Sequence, residues 1–408
     1  MFNNSSPKYS YCEHLRSDVP LVSDVLDADT EYRTGYFGKW HLGPAEDLWR
    51  SSFHETSQPR HGSPAFTATS HWHPNTSIAP LVDSVLNGRA GTLDVSMHGF
   101  PGVHTADLSM EFMRVSTDVP FCCYCAFPGP HSPWMVPAEW GVRFDPGELP
   151  VWRNRHDPMT DKPLYQQKLH RMEQYPSQRQ YLADDGELTE LLACCFSYVE
   201  LIDAQVGRVV SMLKELELYD ETMILFTTDH GDMAGSHGFL SKGAYSYEEI
   251  YHIPMIAKPA ATLGSSPGRR EEPVTLMDAT ATVLHAATGA EPEAVGGRAL
   301  HGRSLLPLLS GALLATPWRD AAYMEFHGDW YGHYSIRTIV EGRYKLAWNL
   351  SDRCELYDLE EDPLELENRF AKASYREISA RLLRRIQEEA ENVDDAHVRL
   401  LIPELELA

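Results

Sequence analysis

Apolar residues are arranged along the chain in two textures that change near residue 312. In the first 311 residues three short apolar runs stand out: 120–127 (PFCCYCAF), 222–227 (TMILFT) and 253–257 (IPMIA). Each has the length of a buried strand. Between the first two, Leu191, Cys195, Tyr198, Ile202, Val206, Val209 and Leu213 recur at three- and four-residue spacings, which predicts a long helix over residues 188–218. Strand, helix and strand in that order predict a parallel sheet with right-handed crossovers, and so an α/β core. Residues 130–176, rich in Pro, Trp and charge, read as a long surface excursion of the kind that covers active sites. Beyond Gly311, residues 322–326, 334–340, 344–348 and 355–359 read as short strands joined by tight turns such as Glu341-Gly342. Glu377, Ile378, Leu382, Leu383 and Ile386 then mark an amphipathic terminal helix. The chain is thus expected to divide into an α/β domain, residues 1–311, and a small antiparallel-sheet domain with a terminal helix, residues 312–408.

Composition narrows the function more than the fold. A chain of 408 residues with 43% hydrophobic and 23% charged residues has ample core for a folded protein. Its net charge of -24 leaves nucleic acid and anionic membrane without electrostatic support as partners, so any anionic substrate needs a local cationic pocket. No run of eighteen apolar residues appears, and the first residues lack a charged and then apolar leader pattern. Five of the seven cysteines, Cys122, Cys123, Cys125, Cys194 and Cys195, lie in apolar runs and read as buried reduced thiols. A shared soft-metal site is the alternative, but alternate side chains of a strand face opposite ways. The expected compartment is the reducing cytoplasm.

Three segments carry candidate chemistry. In residues 226–249, FTTDHGDMAGSHGFLSKGAYSYEE, an apolar strand runs into Asp229-His230 and a Gly-rich turn, where ligands sit beyond the carboxyl ends of strands. A carboxylate and an imidazole there can converge on a divalent cation; alone, the same tripeptide is a strand-ending turn capped by Asp. Lys242, between glycine-rich flanks, can neutralise an anionic oxygen or lie solvated on the surface. In residues 32–43, YRTGYFGKWHLG, Lys39 and His41 are two apart, so an extended backbone points them the same way. That pairing suits a tetrahedral oxyanion ester, and equally an exposed basic pair at a turn. In residues 127–137, FPGPHSPWMVP, prolines on both sides present His131 rigidly, for a site or for the loop itself.

Together these segments resemble the sulfatase family of the alkaline-phosphatase-like superfamily. GYFGKWHLG resembles its second signature, FPGPHSPWMVP its Pro-His-x-Pro substrate loop, and TTDHGDMAGSHGFLSKGAYSYEE its second metal segment and lysine. LMDATATVLHAATG with GRALHGRSLLPLL, and YKLAWN with CELYDLEEDPLELEN, resemble the approach to the small domain and its last hairpin. The order of the motifs is the family's, from about residue 19 to residue 370. The resemblance implies an alkaline-phosphatase-like core with a mainly parallel central sheet flanked by helices, and a hydrolase cleaving sulfate monoesters. It implies one divalent cation, Ca²⁺ foremost with Mg²⁺ or Mn²⁺ as alternatives, with Asp229 and His230 as two of its ligands. It further implies Lys39 and Lys242 as substrate-binding cations, and His41 and His131 as the histidines near the anionic group and the leaving group.

The family's nucleophile is a formylglycine made from Cys in Cys-x-Pro-Ser-Arg or Cys-x-Ala-Ser-Arg, or from Ser, preceded by a strand with paired Asp. Neither motif is in this sequence. Cys12-Glu13-His14-Leu15-Arg16 has the Cys-to-Arg spacing without the Pro or Ala and the Ser. Asp18, Asp24, Asp27 and Asp29 follow no apolar run. The expectation is a sulfatase-like chain impaired in turnover. The other readings are a phosphonate or phosphate ester hydrolase of the same superfamily, and a catalytically dead remnant that binds anions or a partner.

Overall fold

The structure is a computed structural model, and it describes residues 19–40, 52–56, 90–171, 184–265, 267–291, 294–295, 298–312, 314, 316–328, 334–395 and 398. Strand β1 (Arg33–Gly38) has β2 (Glu55–Thr56) on one side, with β3 (Ala90–Leu93) following later in the chain. On its other side β1 pairs in parallel with β4 (Phe121–Ala126), from Arg33 opposite Phe121 to Gly38 opposite Ala126. Gly38 takes φ +106, and a Cβ there would stand 2.0 Å from the Ala126 carbonyl oxygen. Only glycine lets the chain leave β1 so close to β4, and the next amide, Lys39 N, donates to that same oxygen at 2.8 Å.

One helix lies on this sheet and a second, longer one packs against the first. Pro101 opens the helix Pro101–Arg114, where its missing N–H costs nothing. The long helix Asp185–Glu215 starts on Asp184, whose carboxylate accepts from the Gly186 and Glu187 amides. Its apolar stripe brings Leu213 against Phe37, Phe112 and Met113, with Phe121, Cys123 and Ile224 around them. Burying each such side chain is worth about 1.5–3 kcal/mol.

Strand β6 (Ile224–Thr227) pairs antiparallel with β7 (Met255–Lys258). The apolar runs at 120–127, 222–227 and 253–257 therefore do not form one parallel sheet as their order predicts. Among the described residues β4 and β6 share a helix layer but no strand ladder. The reason lies in the connection. Residues 228–254 carry only the short 3-10 turn Ser236–Gly238 and the one-turn helix Glu248–Tyr251, so the chain doubles back beside β6 instead of crossing over.

The surface excursion expected over residues 130–176 holds for residues 138–153, none of which is buried, and fails on either side of them, while residues 172–176 lie outside the described residues. Strand β5 (Trp134–Pro137) pairs in parallel with β3 and is buried at all four positions. Trp134 and Val136 join Leu191 and Tyr198 in one core cluster, while Asn154, Arg155, Asp157, Met159, Lys162 and Tyr165 are buried further along. Proline and charge marked an irregular path there, and that path runs inward at residues 134–137 and again from Asn154.

Past the two-residue pair β8 (Ala294–Val295) and β9 (Arg298–Ala299), four antiparallel strands follow in sequence order. They are β10 (Ala321–Gly328), β11 (Tyr334–Glu341), β12 (Tyr344–Asn349) and β13 (Glu355–Asp358). The helix Arg376–Asn392 lays Leu382, Leu383, Ile386 and Ala390 on Ile339, Leu346 and Leu356. This C-terminal sheet and terminal helix agree with the expected fold class.

Candidate active site

Three segments meet beyond the ends of β1, β4 and β6. After β6 the chain turns at Gly231, where a Cβ would stand 1.8 Å from the Glu249 carbonyl oxygen, and this packing fixes the bend that presents Asp229 and His230. His230 Nδ1 donates to the Gly231 carbonyl at 2.7 Å. With its proton committed there, Nε2 carries the lone pair. That atom is buried, has no hydrogen-bond partner among the described residues, and lies 3.8 Å from Asp229 Oδ2.

Lys39, one residue past β1, donates from Nζ to Asp229 Oδ2 at 3.0 Å. His131 repeats the tautomer logic of His230. Its Nδ1 donates to the Ser132 carbonyl at 2.7 Å, and its Nε2 accepts from Lys242 Nζ at 2.7 Å. The His131 and His230 rings meet edge to face with centroids 5.7 Å apart. Trp134 Nε1 donates to the Pro130 carbonyl at 2.8 Å and braces the loop bearing His131.

Lys242 is held by its own loop. Asp232 Oδ1 accepts from the Ala234 and Ser241 amides, both at 2.9 Å, and the Met233 amide donates to the Ser241 carbonyl at 2.8 Å, one residue before Lys242. Asp232, visible in the Asp-His-Gly-Asp run but given no task from sequence, is the pin of this loop.

The electrostatics follow from burial and from the two lysines. Burial opposes ionisation of Asp229, yet His230 and Lys39 outweigh it and hold its carboxyl at about 2. Burial and the Lys242 ammonium push His131 down to about 4, and the same two causes lower His230. Lys242 is lowered by burial and by Lys39. At neutral pH both imidazoles are neutral with bare Nε2 atoms, beside one carboxylate and two cations. Such a pocket can hold a divalent ion on one side and a tetrahedral anion on the other.

The structure thus brings Lys39, His131, Asp229, His230 and Lys242 together, while His41 and Cys12 lie outside the described residues. Among the described residues no group of three or more His, Cys, Asp or Glu forms a metal site, so Asp229 and His230 stand there as a pair. Six cysteines are described, and all are free thiols. Burial pushes Cys122 up to about 12 and Cys125 to about 11, which makes them unreactive packing groups.

Comparison with known proteins shows the family to which the chain belongs. The family model "Sulfatase" matches residues 1–290, and "N-sulphoglucosamine sulphohydrolase, C-terminal" matches residues 235–392. The uncharacterized sulfatase YidJ of Escherichia coli (strain K12) is 26% identical over 362 residues, 83% of this chain and 65% of that protein. The choline-sulfatase of Rhizobium meliloti (strain 1021) is 27% identical over 250 residues, 61% of this chain and 46% of that protein. The chain thus spans less than two thirds of the length of either relative. Among solved structures, the phosphonate monoester hydrolase of Agrobacterium radiobacter superposes with a TM-score of 0.70 at 21% identity, covering 92% of this chain and 81% of that one. With a family model matched over most of its length, the chain belongs to the sulfatase family.

Proposed function

We propose that the chain carries the substrate cradle and half of the metal site of a sulfuric ester hydrolase acting on a small anionic ester. The single observation that carries this reading is the pairing of Lys242 with His131 and of Lys39 with Asp229 in one pocket, at 2.7 and 3.0 Å. In it the two ammonium groups hold the nonbridging oxygens, whose charge grows as the ester bond breaks. His131 Nε2 accepts from the Lys242 ammonium and so orients it beside the leaving oxygen; the proton for that oxygen starts on Lys242, because the proton of neutral His131 is held on Nδ1 by the Ser132 carbonyl.

Asp229 and His230 fit two positions of a divalent cation, Ca²⁺ foremost with Mg²⁺ or Mn²⁺ as alternatives. The supporting observation is the buried Nε2 of His230, unpartnered among the described residues and 3.8 Å from an ionised carboxylate oxygen. When bound, the ion polarises the ester oxygens. Two protein ligands are fewer than such a cation takes from a dedicated site. The formylglycine motif is not in the sequence either. We therefore read the chain by itself as binding anions while turning over little or no ester.

A phosphonate or phosphate ester hydrolase is the second reading, favoured by an imidazole in the metal pair. Parallel assays on an aryl sulfate, a phosphonate monoester and a phosphodiester, with Ca²⁺ or Mn²⁺ present, test both. The expected result is no turnover above background. Metal-dependent hydrolysis of the aryl sulfate would show the chain to be catalytically complete, and preference for the phosphonate would move it to the second reading.

A further inference from the structure

We propose that Asp157 is a positioning residue for Lys242, acting through His237, an inference that rests on Lys242 being an anion-binding group. The turn Ser236–Gly238 lies between the metal pair and Lys242. His237 takes φ 51 and ψ 20 there, a left-handed conformation that a side chain with a Cβ adopts only when its surroundings impose it. Two contacts impose it. The His237 imidazole stacks on Tyr247, with centroids 3.9 Å apart at 13°, and its Nδ1 lies 2.6 Å from Asp157 Oδ2.

Asp157 is itself fixed. Its Oδ1 accepts from the Met159 amide at 2.8 Å, and its Oδ2 lies 3.8 Å from Lys162 Nζ. Asp157, Lys162 and His237 are at most 3% exposed. Lys162 donates to the Tyr357 hydroxyl at 2.8 Å and to the Glu365 carbonyl, and so ties this anchor to the C-terminal sheet. A second strut, Trp152 Nε1 donating to the Ala234 carbonyl at 2.7 Å, reaches the same turn from the same segment.

From the turn to the site the path is short. The Phe239 amide donates to Ser236, the Gly235 amide to Phe239, and the Met233 amide to Ser241, each through a backbone carbonyl. A shift of the His237 turn must therefore move Ser241 and the backbone from which Lys242 reaches His131. Ammonium groups placed about 1 Å off lose most of their grip on a bound anion.

The test is titration calorimetry of the metal-free chain with inorganic sulfate. Lys242→Ala should weaken binding by at least about tenfold. His237→Asn keeps a residue tolerant of left-handed backbone while removing the strut, and should weaken binding about five- to tenfold with an unchanged circular dichroism spectrum. Asp157→Ala should do the same. Asp157→Asn keeps one acceptor oxygen for the Met159 amide and offers its Nδ2–H to His237 Nδ1 in the Nε2–H tautomer, and should stay within about twofold of the unaltered chain. If Asp157→Ala fails to fold because buried Lys162 loses the carboxylate beside it, His237→Asn decides. Unchanged affinity in His237→Asn beside a weakened Lys242→Ala overturns the positioning role and leaves the site reading standing. Sulfate binding indifferent to Lys242→Ala overturns both.

Discussion

Lys39 and Asp229, 190 residues apart in the chain, meet at 3.0 Å between Nζ and Oδ2. The contact joins the end of β1 to the end of β6, two strands that share no ladder among the described residues. It also sets a competition, because Lys39 cannot serve Asp229 and an incoming anion equally.

Asp229→Asn removes that competition. In metal-free buffer the variant should bind sulfate about tenfold more tightly, since one unit charge near a site of intermediate dielectric is worth about 1–2 kcal/mol. The same variant should lose any tightening of sulfate binding by Ca²⁺. Titration calorimetry with and without Ca²⁺ checks both halves, and weaker sulfate binding in metal-free Asp229→Asn would place Lys39 outside the anion pocket.

Beneath the His131 loop, Tyr198 is buried with its hydroxyl unpartnered among the described residues, and its ring lies so close to Gly129 that a Cβ there would stand 2.2 Å from the ring. Tyr198→Phe removes an unsatisfied polar group and should be neutral or stabilising by up to about 1 kcal/mol. Gly129→Ala should destabilise by about 1–3 kcal/mol or more through overpacking. Urea unfolding of the two variants checks the contrast.

Acid should weaken the fold through Asp157 and Glu248. Burial would raise both carboxyls, but His237 and Lys162 bring Asp157 below its ordinary 3.8, and Lys345 and His252 bring Glu248 below its ordinary 4.5. A folded-state value below the unfolded one means that the unfolded chain binds more protons in that window. The stability these groups contribute is therefore present above about 4.5 and is lost as the pH falls through their depressed values. Glu365, raised by burial, acts in the opposite sense, so the comparison has to be made between variants. The urea midpoint should drop between pH 5 and pH 3, and drop less in Asp157→Asn, which has no carboxyl to titrate. Equal drops would remove Asp157 from the account.

Much of this was legible in the sequence, for physical reasons. The helix predicted over residues 188–218 is the helix Asp185–Glu215, because a two-faced apolar stripe of that length admits no other element. The strands of the C-terminal sheet were legible because turn residues such as Gly342, at φ 57, punctuate them. Asp229, His230, Lys242 and His131 could be picked out because each follows an apolar strand or sits among Gly and Pro. Strand β1 was harder to see: RTGYFG has two glycines and one charge, and it is a strand because β4 pairs with it. Asp157, His237 and Asp232 could not be assigned tasks, since their partners are contacts across the fold or hydrogen bonds to backbone. The direction of β7 was equally hidden, because an apolar run has no polarity.

One pocket should hold a tetrahedral anion between Lys39 and Lys242, beside the metal-binding pair Asp229 and His230. A crystal of the chain soaked in selenate and Ca²⁺, with anomalous scattering recorded at the selenium edge, tests it most directly. Selenate is expected within hydrogen-bond distance of Lys242 Nζ and Lys39 Nζ, with a Ca²⁺ bound by Asp229 and His230 Nε2. Selenate bound elsewhere, with the Lys242–His131 contact undisturbed, would contradict it.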